Sequence, residues 1–372
     1  MSEEHTYEQL VAKTRAGIAG GADEELWKTR IAALLRAGVA RGEVTLTGSL
    51  IRPDVGASSG NLLFSARFDD GSGECEHDLV LRYQPADGLM NHYDMGAQFR
   101  VQHALADAGV KVARPLCLDD DGSLLGTPGY VMRRAVGVAP RQYYYAQGPM
   151  AEADVATRQA LIDDMMQTLA EIHALDWRTT GLDTLLGGSV PENSIGPEIT
   201  FYTDALRFAS AEIAYSLSGY ERWLHDNAPR VTNPVLNHGD YQPSNMLFAD
   251  GKLVAVLDWE TARITAPESD LGWLTGVHSF ARVLGGAGNI ADMPSDDDWL
   301  SAYERASGRS LQHWEYHLAK GAYCTLLVLH VFGRRMSAEE FKPFSGILAV
   351  QEDRMRTLFK GAGATLRSGA NS

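Results

Sequence analysis

Cysteine is scarce in this chain. Cys75, Cys117 and Cys324 stand at wide spacings among 372 residues, odd in number and outside any CxxC pair. That pattern excludes a disulfide framework and a thiolate zinc site, and predicts three reduced, buried thiols. Long apolar runs are also missing. The longest, Gly321 to Gly333 (GAYCTLLVLHVFG), falls short of the roughly 20 residues that cross a bilayer and reads as a buried helix. Basic charge is the third shortage: 33 Lys and Arg face 48 Asp and Glu, a formal charge of −15. Most of the surface should repel a phosphate backbone, so neither nucleic acid nor a membrane is an expected partner. The segment Met1 to Leu10 (MSEEHTYEQL) has neither the basic start nor the apolar run of an export signal, which predicts a cytoplasmic location.

What is present is a large soluble composition, 45% hydrophobic and 22% charged. A chain of 372 residues exceeds the usual ~100 to 200 of one domain, which predicts two lobes. Residues 24 to 39 place Leu26, Ile31, Leu34 and Leu35 at helical spacing. From Val44 to Tyr83 the pattern is that of antiparallel strands broken by a DDGSG turn. Between the first two strands, Val55 to Asn61 (VGASSGN) sets Gly56 and Gly60 around Ser58 and Ser59, so backbone amides are able to approach an anion, although such a loop is also an ordinary turn. Residues 95 to 108 predict a helix with Gln98, Val101 and Leu105 on one face.

A further β-like piece, Gly129 to Met132, precedes Arg133, Arg134 and Gly137, and a boundary is expected near residues 134 to 142. Residues 159 to 176 form a strong amphipathic helix, Gly181 to Pro197 a loop, and residues 199 to 228 and 297 to 333 mainly helices. No internal repeat is visible. These patterns divide the chain into a helical segment over 1–43, a β-rich unit over 44–135, a larger helical unit over 136–360 and a flexible tail over 361–372.

The densest pattern is Val235 to Glu260, VLNHGDYQPSNMLFADGKLVAVLDWE. Its NMLF and LVAVLDW pieces pair across the turn Ala249-Asp250-Gly251-Lys252, which brings Asp240, Asn245 and Asp258 to one edge. Phosphoryl transfer from a nucleotide needs such a set. One acidic residue orients the attacking hydroxyl and accepts its proton, while hard oxygen ligands hold Mg²⁺ against the phosphates. Asp240 suits the first task, Asn245 and Asp258 the second.

H-G-D-x-x-x-x-N followed by L-D-W-E resembles the aminoglycoside phosphotransferase and choline kinase family, relatives of protein kinases. LVLRY at residues 79–83, GYVMRRAVG at 129–137, LAEIHALDWRTTGL at 169–182 and DLGW at 270–273 fit it in order. The branch containing phosphotransferases associated with acyl-CoA dehydrogenases looks nearest. The resemblance implies an α+β, protein-kinase-like two-lobed fold with a small antiparallel N-lobe that binds nucleotide and a mainly helical C-lobe that carries the catalytic hairpin. It also implies ATP and Mg²⁺ as cofactors and a small-molecule hydroxyl as acceptor. Asp240 would be the catalytic base and Asn245 and Asp258 the metal ligands. Met132, Arg133 and Arg134 would supply the adenine-binding hinge, and Gly56, Ser58, Ser59 and Gly60 would cover the phosphates.

Two positions depart from the family pattern. Arg82 stands where kinases carry the phosphate-binding lysine, and Gln98 where a helix glutamate pairs with it. A guanidinium still grips phosphate, and a glutamine can hydrogen-bond it without forming an ion pair. These departures motivate the alternative of a nucleotide-binding pseudokinase or regulatory module. Among the remaining candidates, His238 is expected to brace the loop, His173 to be a satisfied core histidine, and Asp270 to bond the catalytic-loop backbone. Glu260 is expected to face solvent, and Asp292 and Asp296 to Asp298 to form a solvated loop or helix start. Tyr143 to Tyr145 suit either a substrate cleft or packing. The acceptor class stays open between an aminoglycoside, a choline-like alcohol and a hydroxyacyl compound.

Overall fold

The computed structural model describes residues 22–53, 60–85, 94–140, 144–184, 194–334 and 336–364. Gly56, Ser58 and Ser59 of the predicted phosphate loop, Tyr143 and the chain after residue 364 lie outside the described residues. Two compact units emerge, Met1–Val136 and Gly137–Ser372.

The first unit is built on a five-stranded antiparallel sheet, β1 (Thr45–Ile51), β2 (Gly60–Asp69), β3 (Glu74–Tyr83), β4 (Pro115–Asp119) and β5 (Gly129–Arg133), in the order β1-β2-β3-β5-β4. Alternation decides its faces. Leu62, Phe64, Ala66 and Phe68 of β2 join Leu79 and Leu81 of β3 and Val131 of β5 in one core with Ile31, Leu34 and Leu35 of helix α1 (Ala22–Gly38). The opposite face carries Val80, Tyr130 and Met132, packed with Met95 of helix α2 (Met95–Asp107). The β2–β3 turn closes as the DDGSG pattern requires: Asp69 accepts from the Gly71 and Gly73 amides at 2.7 and 2.9 Å, and both glycines have positive φ. Of the three thiols, Cys117 and Cys324 are buried, whereas Cys75 is exposed because it begins β3 in a stretch that solvent reaches.

The second unit is mostly helical. After the short α3 (Gly148–Glu152) comes the predicted amphipathic helix, α4 (Val155–Ala174), which buries Leu161, Ile162, Met165, Met166, Leu169 and Ile172. The region read as one helical stretch over 199–228 is two helices, α5 (Ile195–Ala209) and α6 (Ala211–Asp226), broken at Ser210, whose backbone is extended and whose hydroxyl accepts from the Ile213 amide at 3.4 Å to cap the second. Strands β6 (Val235–Asn237) and β9 (Arg263–Thr265) pair with each other and flank the hairpin β7 (Met246–Ala249) and β8 (Lys252–Val256).

Helices α7 (Glu268–Gly285), α8 (Asp296–Ser307), α9 (Trp314–Gly333) and α10 (Ala338–Gly361) complete the unit. α7 and α9 meet through two glycines so closely that a Cβ on Gly321 would lie 1.9 Å from the Gly272 carbonyl oxygen. Beside that crossing, the buried Lys320 ammonium donates to Glu198 at 2.5 Å and to Ser269 at 2.7 Å. The apolar run of α9 is a buried helix, as its length predicted, and no described helix is long and apolar enough to cross a membrane.

Candidate active site

The His238-Gly239-Asp240 loop leaves β6 and is held by its backbone. Asp270, near the start of α7, accepts from the His238 amide at 2.8 Å and the Gly239 amide at 2.7 Å. Gly239 has φ of 84°, and a Cβ there would sit 2.3 Å from the Thr261 carbonyl oxygen, so this turn admits glycine alone. Tyr202 of α5 donates its hydroxyl to the Gly239 carbonyl at 3.1 Å. His238 closes the loop from within: Nδ1 accepts from the Asp240 amide at 3.2 Å, and Nε2–H donates to the Leu257 carbonyl at 2.8 Å. It braces the loop, as expected.

Asp270 is itself fully buried. Burial alone would raise its proton affinity, but the hydrogen bond and charge of His173, the nearby His238 and the Gly239 amide hold it below the usual carboxylate range. His173 bridges Asp270 at 3.2 Å and the Tyr303 hydroxyl at 2.8 Å. It is a satisfied core histidine.

Asp240 is treated differently. Oδ1 accepts from the Trp273 indole at 2.6 Å and the Gln242 amide at 2.7 Å, and Oδ2 accepts from the Asn245 amide at 2.7 Å. Desolvation, then repulsion from Asp258, push its pKa up to about 7 against the lowering effect of those donors. Asn245 and Asp258 stand at the open end of the β7–β8 hairpin, where the Leu257 amide donates to the Asn245 carbonyl at 2.8 Å. Asp258 adopts a left-handed conformation, φ and ψ both 66°, an uncommon state for a residue other than glycine and one that recurs at functional sites. The hairpin turn predicted at Asp250-Gly251 has positive φ at both residues.

This donor set suits Mg²⁺. Asn245 turns its amide nitrogen to Asp240, so its oxygen faces away, and Asp258 adds a carboxylate close enough to Asp240 to raise its proton affinity. Among the described residues no group of three or more His, Cys, Asp or Glu gathers as a metal cage. Such a sparse set fits a cation that keeps waters and shares phosphate oxygens.

In the first unit, Arg82 is buried on β3 and donates through Nε to Gln98 of α2 at 2.7 Å. Gln98 Nε2 is buried without a partner. Gly60 opens β2 under Tyr83, where a Cβ would lie 2.3 Å from the ring. Met132 is buried on the Arg82 side of the sheet, whereas Arg133 points to the other face and bonds Asp70 at 2.7 Å and His77 at 3.0 Å. The Arg133 and Arg134 amides are engaged by the Arg114 and Asp78 carbonyls at 2.8 and 2.9 Å.

Sequence reasoning missed Trp273, Gln242 and Tyr202. Two of them lie inside quoted motifs, DLGW and HGDYQPSN, but their side chains showed no chemistry until folded. Asp296 begins α8, and rather than standing solvated it accepts from His278 at 2.9 Å and from Arg282 at 2.7 and 3.1 Å.

A model of the phosphotransferase enzyme family matches residues 60–319. Acyl-CoA dehydrogenase family member 10 of Mus musculus is 30% identical over 203 residues, covering 53% of this chain and 18% of that protein. Member 11 of Homo sapiens is 27% identical over 251 residues, covering 64% and 31%. The chain thus spans less than a third of the length of these curated relatives. Among solved structures, a candidate aminoglycoside phosphotransferase from Ralstonia eutropha JMP134 shares the fold with a TM-score of 0.65 at 21% identity, covering 88% of this chain and 98% of that one.

Proposed function

This chain belongs to the phosphotransferase enzyme family, and from that premise we propose that it is an ATP- and Mg²⁺-dependent kinase that moves the γ-phosphate to a hydroxyl of a small molecule. The observation that carries the reading is geometric: Asp240 Oδ2 accepts from Asn245 at 2.7 Å and Asp258 stands close enough to raise its proton affinity, so a base and two hard oxygen ligands gather at one place. A base with affinity near neutrality can take a proton from an alcohol as its oxygen attacks phosphorus and return it to solvent afterwards.

Asp240 would orient the acceptor hydroxyl and receive its proton. Asn245 and Asp258 would hold Mg²⁺, which when bound supplies positive charge to the phosphate oxygens. Arg82, steadied by Gln98, would grip the donor's phosphates, and Gly56, Ser58, Ser59 and Gly60 would offer backbone amides to them. At the hinge, the engaged amides of Arg133 and Arg134 leave nucleotide recognition to other backbone atoms near Met132 to Arg134. A cytoplasmic location and an acceptor drawn from aminoglycosides, choline-like alcohols or hydroxyacyl compounds belong to the same proposal.

The buried Arg82–Gln98 pair, with no helix glutamate, favours a second reading as a nucleotide-binding module without transfer. ADP release from Mg-ATP, measured with a panel of those alcohols, separates the two. Turnover that Asp240→Ala abolishes supports the kinase; Mg-ATP binding by calorimetry without turnover on any alcohol supports the module.

A further inference from the structure

A carboxylate turns about its Cβ–Cγ bond, and a general base must present one chosen oxygen. Each Asp240 oxygen has two lone-pair directions. On Oδ1, the Trp273 indole at 2.6 Å and the Gln242 amide at 2.7 Å take both, whereas on Oδ2 the Asn245 amide at 2.7 Å takes one. We propose that Trp273 is a positioning residue, which with Gln242 saturates Oδ1 and so assigns Oδ2 as the oxygen that meets the acceptor hydroxyl. This rests on the phosphotransferase reading above.

Of the three donors, Trp273 is the rigid one. Its ring is buried and stacks on Tyr202 with centroids 5.3 Å apart and 16° between planes. Tyr202 in turn holds the Gly239 carbonyl at 3.1 Å, and the Arg263 guanidinium lies 5.1 Å from its ring centre. The stack therefore grips the loop at two consecutive residues, one by backbone and one by side chain. Gln242, by contrast, is a neighbour in the chain with a long side chain, and Asn245 is committed to the proposed metal. An indole N–H donates and never accepts, so Trp273 orients the base without competing for the proton.

The test replaces Trp273 with its benzothienyl isostere, which puts sulfur in place of the N–H and keeps the stack. Turnover of Mg-ATP is followed with kanamycin, choline, a hydroxybutyryl-CoA and water as acceptors. The expected result is a kcat lower by about tenfold, an unchanged KM for Mg-ATP, and no further loss when the isostere is combined with Asp240→Asn. A crystal structure of the isosteric variant should show the Asp240 carboxylate rotated. Full kcat, an unrotated carboxylate, or equal loss in the Asp240→Asn background overturns the proposal. Trp273→Phe, which also removes the N–H but shrinks the ring, gives the same kcat and carboxylate-rotation readings, with some loss of stability, should the isostere not incorporate. Failure of the phosphotransferase reading looks different: the wild-type protein would then bind Mg-ATP without turnover on any acceptor, which overturns this proposal with it.

Discussion

Asp240 and Asp270 serve the same loop from its two sides, and they are the same side chain under opposite pressures. Asp270 is enclosed by His173 and two backbone amides, lies near His238, and stays ionised below the usual range. Asp240 receives only neutral donors, faces the charge of Asp258, and rises to about 7. Burial penalises both, so the neighbours decide the sign. One carboxylate is a structural anion; the other is left short of compensation, a condition that suits a proton acceptor.

The contrast is broken most severely at Asp240. Asp240→Ala should lower phosphotransfer by about a thousandfold or more, in the upper range of general-base contributions, with folding intact by circular dichroism. Next in size is Asp270→Ala, which strands two amides and His173. It should cost about 3–5 kcal/mol in denaturant unfolding, as when one partner of a buried charged pair is removed.

Because the folded pKa of Asp270 is depressed, its stabilisation is present above the ordinary carboxylate value and is lost as pH falls through the folded one. The gap between wild type and Asp270→Asn should therefore narrow in acid. His173→Leu should cost less, about 2 kcal/mol, by removing a hydrogen bond to a charged group. It should also move the acid unfolding midpoint to higher pH.

The smallest effect has the opposite sign. In metal-free buffer, wild-type stability should decline as pH climbs from the ordinary carboxylate value of Asp240 to about 7, because the folded state holds that proton more tightly than the unfolded chain. Asp240→Asn escapes this and should gain about 1 kcal/mol over wild type above pH 7, a figure discounted for the partial exposure of the group. A melting-temperature series across pH checks it. A variant that loses stability uniformly would place Asp240 in the same category as Asp270.

Much of the fold was legible where local patterns were long. β2 alternates along most of its ten residues, β3 ends in a continuous buried run from Leu79 to Tyr83, and α4 repeats its apolar face along most of its twenty. Strands β6 and β9 were not, because three residues carry no period. Helix α10 escaped notice although Leu348, Met355 and Phe359 lie on its buried side; Pro343 interrupts the pattern, and the Ser337–Glu340 capping box that starts the helix is a local signal that was available. The break at Ser210 was likewise invisible to apolar spacing, since α5 and α6 are both amphipathic.

The sequence by itself determined which residues stand near one another in the catalytic segment. Asp240, Asn245 and Asp258 are linked by a loop and a tight hairpin, so short-range connectivity alone constrains them. Only the tertiary structure decided what each carboxylate became. Proton affinity depends on burial and on charges and donors acting through space. Those that matter arrive from remote elements: Trp273 from α7 onto Asp240, and His173 from α4 onto Asp270.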